Sequence, residues 1–413
     1  MTPKDRLRQS STLRVLLGTQ FGVYLTGNTL SLVGTWMQRI AASWLVWDWT
    51  GSAFWVGILA ACDLLPVVTI APFAGVAADR WDRVRLNLIA QSISAANAIA
   101  LACLFASGSV TLTALLGLTF IQGSLTAATQ PARFAMVQQM VQRADVGTAV
   151  GLNSACVNIA RLLGPAIAGP LILAGAMIWV FVLNALVTIV FVAILFQLRL
   201  APEHKSSDPE TESFTTQLTE GVRYVGREPA LQLILIALFS GGALIRSLVE
   251  LMPAVAAQSF DDALKGLAIL TGAAAFGAVA SGVTVGAVRT GSLYRSAPIW
   301  WLIGAVAAVP LTQAGHPAWA VISAALLGAC ITRGLVSTQT FIQLTTPTKL
   351  RGRALAIFGL IARGSPALGA LVTGYASDRF GLSATVLVSS GIMVLVVAVL
   401  TLPMTRHGRD LAD

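Results

Sequence analysis

The sequence predicts an all-α membrane protein with twelve transmembrane helices in two pseudo-symmetric six-helix bundles. Three observations lead there. First, the 413 residues are 56% hydrophobic and only 11% charged, with a mean hydropathy of +0.77, whereas a soluble domain carries about 25% charge. Second, apolar runs near the roughly 20 residues that a span needs recur twelve times. Third, lysines and arginines gather in alternate loops, as the positive-inside bias of membrane proteins requires.

The twelve segments are 13–48, 53–78, 84–107, 110–137, 146–172, 176–198, 230–258, 264–288, 296–314, 317–345, 352–377 and 383–404. Residues 1–11 are basic and polar, and the run after them is too long for a signal-peptide core, so it reads as an uncleaved first span. That first segment holds 36 residues. As a helix it would be ~54 Å long against a hydrocarbon core of ~30 Å. One long tilted helix fits, and so do two spans with a break near Gly34 to Gln38. Splitting it would leave Arg39 at a new interface and invert every later loop, which favours the single helix.

With the N-terminus in the cytoplasm, nineteen of the 27 Lys and Arg fall in cytoplasmic segments, among them Arg80, Arg83, Arg85, Arg143, Arg227, Arg351 and Arg353. Only Lys265 and Arg379 fall in opposite-side loops. The expected placement is the inner (cytoplasmic) membrane, multi-pass, with both termini cytoplasmic. Trp47, Trp49, Trp55, Trp179 and Trp319 sit near predicted outer ends as interfacial anchors, and Trp300 and Trp301 near an inner end.

The expected domains are an N-terminal six-helix bundle (1–198), a cytoplasmic linker (199–229) and a C-terminal six-helix bundle (230–413). The linker opens with Pro- and Ser-rich residues 201–210, which read as disordered. Phe214, Leu218, Val222 and Val225 then recur at helical spacing, which suggests an amphipathic helix on the cytoplasmic surface, a solvated loop being the other reading. The halves look like repeats: Arg161-Leu-Leu-Gly164-Pro165-Ala-Ile-Ala-Gly169 in segment five matches Arg363-Gly364-Ser-Pro366-Ala-Leu-Gly369 in segment eleven.

Several function classes drop out. The net charge of +9 is explained by membrane orientation, so nucleic acid is not an expected partner. Cys62, Cys103, Cys156 and Cys330 lie in apolar runs without metal-site or CxxC spacing and read as buried unpaired thiols. His204, His316 and His407 are far apart. No metal, no cofactor and no enzyme chemistry is expected.

One stretch organises the chain: Gly75-Val-Ala-Ala-Asp79-Arg80-Trp-Asp82-Arg83-Val-Arg85, a charged turn between two apolar runs. With six plus six spans and a central loop, it resembles motif A of the major facilitator superfamily. It departs at Asp82, where glycine is usual, in a way similar to the branch of bacterial drug:proton antiporters and the enterobactin (siderophore) exporter. Gly34-Thr-Trp36-Met-Gln38, the turn Leu45 to Ser52, Pro131-Ala-Arg133 and Leu350-Arg-Gly-Arg353 point to the same branch. The resemblance implies rocker-switch alternating access. It also implies that Gly75, Asp79, Arg80, Asp82, Arg83 and Arg85 latch the inner gate; a simple topogenic turn is the plainer reading. Arg161, Gly164, Pro165 and Gly169 resemble the antiporter motif C, or serve helix packing alone. Of motif B, Gln122-Gly123 is present, but Thr119 stands where arginine is usual. Gly374-Tyr-Ala-Ser-Asp378-Arg379-Phe-Gly381 also resembles motif A, yet falls on the outer side, where it reads as a chance match or a turn. The expected counterpart, Gly286-Ala-Val-Arg289-Thr-Gly291, lacks the acid.

Six arginines lie within spans (Arg39, Arg133, Arg161, Arg246, Arg333 and Arg363) against two clear acids, Asp63 and Glu250. Each is costly in lipid and must face a cavity or a partner. Depth pairs Arg39 with Asp63, and the four-residue spacing puts Arg246 and Glu250 on one helix face. The resemblance makes spans one, four, seven and ten line the cavity. That places Arg39, Arg246, Arg333, Gln20, Asn28, Gln122 and Gln339 among its candidate contacts; Arg133 reads as a structural cap. Asp63 and Glu250 are proton-coupling candidates, with permanent ion pairs as the competing reading. The expected function is a secondary active exporter of amphipathic small molecules, drugs or siderophores, coupled to protons. A lysophospholipid flippase or nutrient importer of the same superfamily is the alternative. The expected partners are a small-molecule substrate, the proton and the lipid bilayer, and the chain is expected to act as a monomer.

Overall fold

The structure is a computed structural model and describes residues 11–198, 214–283, 290–313 and 316–410. Every regular element among them is helical. The helices are α1 (Ser11–Gly18), α2 (Gln20–Thr50), α3 (Ala53–Arg80), α4 (Arg83–Ala106), α5 (Leu112–Gln139), α6 (Val146–Leu173), α7 (Met177–Gln197), α8 (Phe214–Arg227), α9 (Pro229–Leu244), α10 (Met252–Ser259), α11 (Ala263–Val283), α12 (Thr290–Gln313), α13 (Pro317–Thr345), α14 (Thr348–Phe380) and α15 (Leu382–Asp410). Among the described residues, eleven helices are long and apolar enough to cross a membrane. The 31-residue α2 completes the twelve-helix arrangement.

Two segments depart from a single rod. The first is parted at Thr19, whose hydroxyl donates to Val15 O at 2.7 Å and accepts from Phe21 N at 3.2 Å, replacing backbone pairing. The chain folds so tightly there that a Cβ on Gly22 would lie 1.8 Å from Leu16 O. Beyond it, α2 runs unbroken through Gly34–Gln38, so no extra crossing arises. The seventh segment breaks more deeply: α9 ends at Leu244, a 3₁₀ turn occupies Arg246–Val249, and α10 begins at Met252 with Pro253 in its first turn.

Turns are short because the caps are local. Asp82 caps α4 by accepting from Arg85 N at 2.7 Å. Thr111 caps α5, and the His316 ring nitrogen accepts from Ala318 N at the start of α13. Gly51 (φ 58°), Gly108 (φ 67°), Gly175 (φ 69°) and Gly381 (φ 85°) end α2, α4, α6 and α14 in the left-handed region that side chains avoid.

Contacts divide the chain into two compact units, Met1–Ala42 with Thr69–Thr211, and Ser43–Val68 with Glu212–Asp413. In the first, α4 lies against α5 and α7, and α6 against α7. Phe21, Tyr24, Met136, Phe191 and Leu195 form a buried cluster at one end. Gly27 and Gly34 bring α2 onto α7: a Cβ on Gly34 would lie 2.5 Å from Asn184 Oδ1. Beside it, Asn184 Nδ2 donates to Gln38 Oε1 at 2.6 Å, and both side chains are buried.

In the second unit α13 packs on α11 and α12, α12 on α15, and α9 on α14. Glycine again sets the spacing, since without water small residues let helices pack by backbone approach. A Cβ on Gly277 would meet Ala325 O at 1.8 Å, and one on Gly328 would meet Ala274 O at 1.9 Å. Trp301 is fully buried, its indole filling the space over Gly241 and Gly334. It is thus a core residue, which corrects its reading as an end marker. Trp49, Trp55, Trp179 and Trp319 are exposed at helix ends. The linker helix α8 packs on α14, where Gly221 abuts Arg353 and Glu220 accepts from the Arg353 guanidinium. Cys103 is exposed and Cys330 buried, so the thiols are not uniformly buried.

Two outcomes follow from this packing. Gly328→Leu lowers the melting temperature in detergent well beyond Gly272→Leu, whose added atoms meet open space; equal effects would mean the α11–α13 approach is not tight. Gln38→Leu, which orphans the Asn184 amide, destabilises by about 1–3 kcal/mol, and Gln38→Leu/Asn184→Leu recovers part of that loss in a double-mutant cycle. Additive single effects would contradict the pairing.

Candidate functional site

Trp36, on α2, stands between two cations. The Arg39 guanidinium lies 5.0 Å from its ring centroid and that of Arg161, on α6, lies 5.2 Å away. Gly164 permits this, because a Cβ there would lie 2.4 Å from Trp36 Cβ. Pro165 and Gly169 are buried beside it, and α6 runs unbroken past Pro165. All three members of the Trp36 group are half-buried. A guanidinium over an indole face is worth about 0.5–2 kcal/mol. Both arginines also engage partners besides the ring, so the group ties α2 to α6 through one aromatic surface.

Deeper in the first unit, Arg133 donates to Asn87 Oδ1 at 3.1 Å and to Asn28 Oδ1 at 3.5 Å, and lies over the Phe191 ring. Asn28 Nδ2 donates to Asn153 Oδ1 at 3.5 Å. Asn28 is buried in this network, which joins α2, α4, α5 and α6. Gln122 Oε1 accepts from Ser94 Oγ at 2.7 Å, tying α5 to α4. Gln20 and Gln339 are exposed.

In the second unit Arg333 donates to Ser281 Oγ at 3.1 Å and lies over Trp300. Arg246 donates to Ala362 O of α14 at 2.7 Å. The expected shared face of Arg246 and Glu250 needs correction: the chain is 3₁₀ over Arg246–Val249 and Glu250 ends that turn, so α-helical four-residue spacing does not apply. Both are half-buried at this break, as is Asp63 in the middle of α3. Arg39 and Asp63 belong to different units.

Gly75, Asp79 and Arg80 close α3, while the side chains of Asp79 and Arg80 lie outside the described residues, as does most of the loop Gly286–Gly291. Asp82 has a visible role as the α4 cap, which accounts for an acid where glycine is usual. Arg83 and Arg85 occupy the first turn of α4, Arg85 exposed. Two contacts had no signature in local periodicity. Arg14 grips the buried Asp145 with both Nε (3.1 Å) and Nη2 (2.5 Å), fixing α1 to the turn before α6. Asp378 engages the start of α3, accepting from Ser52 Oγ and Ala53 N. Trp36 was visible only as part of a motif; its three-residue spacing from Arg39 was the available clue.

A family model described as transmembrane secretion effector (MFS_3) matches residues 10–411. The staphyloferrin A transporter of Staphylococcus aureus is 29% identical over 147 residues, which is 35% of this chain and 37% of that protein, so this match spans little more than a third of either. The multidrug efflux pump Tap of Mycolicibacterium fortuitum is 26% identical over 405 residues, covering 92% of this chain and 94% of Tap. A mutant of the nucleoside transporter NupG matches with a TM-score of 0.74 at 14% identity, covering 96% of this chain and 100% of that one, a likeness of fold alone. Because the family model matches residues 10–411, almost end to end, the chain belongs to the transmembrane secretion effector family of major facilitator transporters.

Proposed function

We propose that this transporter is a secondary active exporter of amphipathic small molecules, drugs or siderophores, driven by protons, and that it favours substrates carrying negative charge. The observation that carries the proposal is the Trp36 indole flanked by Arg39 and Arg161 at half-buried positions within spans. Such a group sets an apolar face beside guanidinium charge within the span. Similarity to a multidrug efflux pump along most of the chain, and to a staphyloferrin A transporter over part of it, agrees with export of this class.

In this reading the chain is a monomer in the inner membrane with both termini cytoplasmic. Bundles 1–198 and 230–413, joined by 199–229, alternate access by rocking, and Asp79, Arg80 and Arg83 latch the cytoplasmic side. Asp63 and Glu250 carry the proton. A carboxylate that gains and loses an arginine neighbour as helices move changes its protonation with conformation. Glu250 lies at the break in the seventh segment, the kind of interrupted helix at which transporters hold coupling ions.

Reconstituted protein under an imposed pH gradient tests this with an anionic siderophore and a cationic dye. Gradient-driven accumulation, stronger for the siderophore, is expected; no gradient dependence for either probe overturns the proposal. Glu250→Gln or Asp63→Asn then separates coupling from binding. The coupling acid, once neutralised, loses gradient-driven accumulation and keeps substrate exchange. Wild-type accumulation in both variants contradicts proton transfer through these acids.

A further inference from the structure

Gly374-Tyr-Ala-Ser-Asp378-Arg379 repeats the spacing of Gly75-Val-Ala-Ala-Asp79-Arg80, and it closes α14 as the latter closes α3. Within the second unit its contacts are plain. Asp378 Oδ2 accepts from Ser52 Oγ at 2.5 Å and from Phe54 N at 3.2 Å, while Oδ1 accepts from Ala53 N at 2.8 Å. The first turn of a helix presents unpaired N–H groups and partial positive charge. Here a carboxylate from another helix, far away in sequence, meets them. Ser52 completes the arrangement by accepting from Trp55 N at 3.3 Å.

The surroundings are shaped for this contact. A Cβ on Gly374 would lie 2.5 Å from Ala53 O, and one on Gly57 would lie 2.4 Å from Ala370 O, so the antiparallel pair α3 and α14 meets at backbone distance. The Tyr375 ring meets Phe54 edge-on at 5.8 Å, and Arg379 covers Tyr375. Gly381 then ends α14 with positive φ, placing Asp378 in its last turn.

The clasp is also built to open. Asp378 is exposed, and it lines an open cavity with Trp47, Gly51, Gln258 and Leu382. Its hydrogen bonds are therefore in direct competition with water.

We infer that Asp378 is a conformational latch. It holds the start of α3 to the end of α14 in one state of the transport cycle and releases it in the other. Gly374–Arg379 thus does at this end what the proposed function gives Gly75–Arg80 at the opposite end of α3. The inference rests on the alternating-access reading above.

The test is a distance measurement by double electron–electron resonance in nanodiscs. Spin labels replace Trp49 and Phe380, both exposed, in full-length protein with its four cysteines changed to serine. The starting protein shows a dominant short distance. Asp378→Ala shifts the distribution to longer distances, and Ser52→Ala, which removes one of three donors, shifts it less. Asp378→Asn keeps the side-chain volume and one acceptor, so it tests the latch should the alanine variant fail to fold. An unchanged distribution in the folded Asp378 variants overturns the inference, and so does a lower melting temperature without a distance shift, which marks a static joint. The readout needs no substrate. Absent export with an intact distance shift therefore counts against the proposed function and leaves the latch standing.

Discussion

A charge inside a bilayer must find its counterpart within the protein, and much of this fold follows from that constraint. Each half-buried arginine described above is handed to another helix or to an aromatic face. Arg133 on α5 reaches α4 and α2, Arg161 on α6 reaches Trp36 on α2, Arg333 on α13 reaches α11, and Arg246 reaches a carbonyl of α14. These contacts help to choose neighbours and register. Glycine supplies the other half, removing side chains where backbones must touch, as at Gly34, Gly277 and Gly328.

The helix α14 gathers three of these relations on one rod. Near its start Arg353 holds the linker helix through Glu220. In its middle the Ala362 carbonyl receives Arg246 from the broken seventh segment, and Gly369 lies against the Ala243 backbone. At its end Asp378 receives the start of α3. The linker, the break beside Glu250 and the start of α3 thus all contact one helix.

Much of this was legible in the sequence. Length and apolarity located the spans, lysine and arginine spacing located the turns, and the charged turn at Gly75–Arg85 carried the family. The uninterrupted course of α2 through Gly34–Gln38 followed from charge placement alone. Other features were not legible, for a common reason. Helices apolar on every side carry no stripe that says which face meets which neighbour, so Trp301 in its glycine slot and Asn28 in its network could not be assigned. The 3₁₀ break at Arg246 had only flanking hints in Gly241-Gly242 and Pro253. Asp145 and Asp378 meet partners 131 and 326 residues away, beyond any local pattern.

In the proposed function the Arg39–Trp36–Arg161 group faces substrate and selects for negative charge. The most direct measurement compares uptake of anionic and cationic amphipaths of matched size into inside-out vesicles, by wild type and by Arg39→Gln and Arg161→Gln. Each variant is expected to lose anionic uptake by about tenfold, the loss of one charge-assisted contact of ~1.4 kcal/mol, while cationic uptake is unchanged or rises. Equal losses for both probes, or none for either, would contradict it.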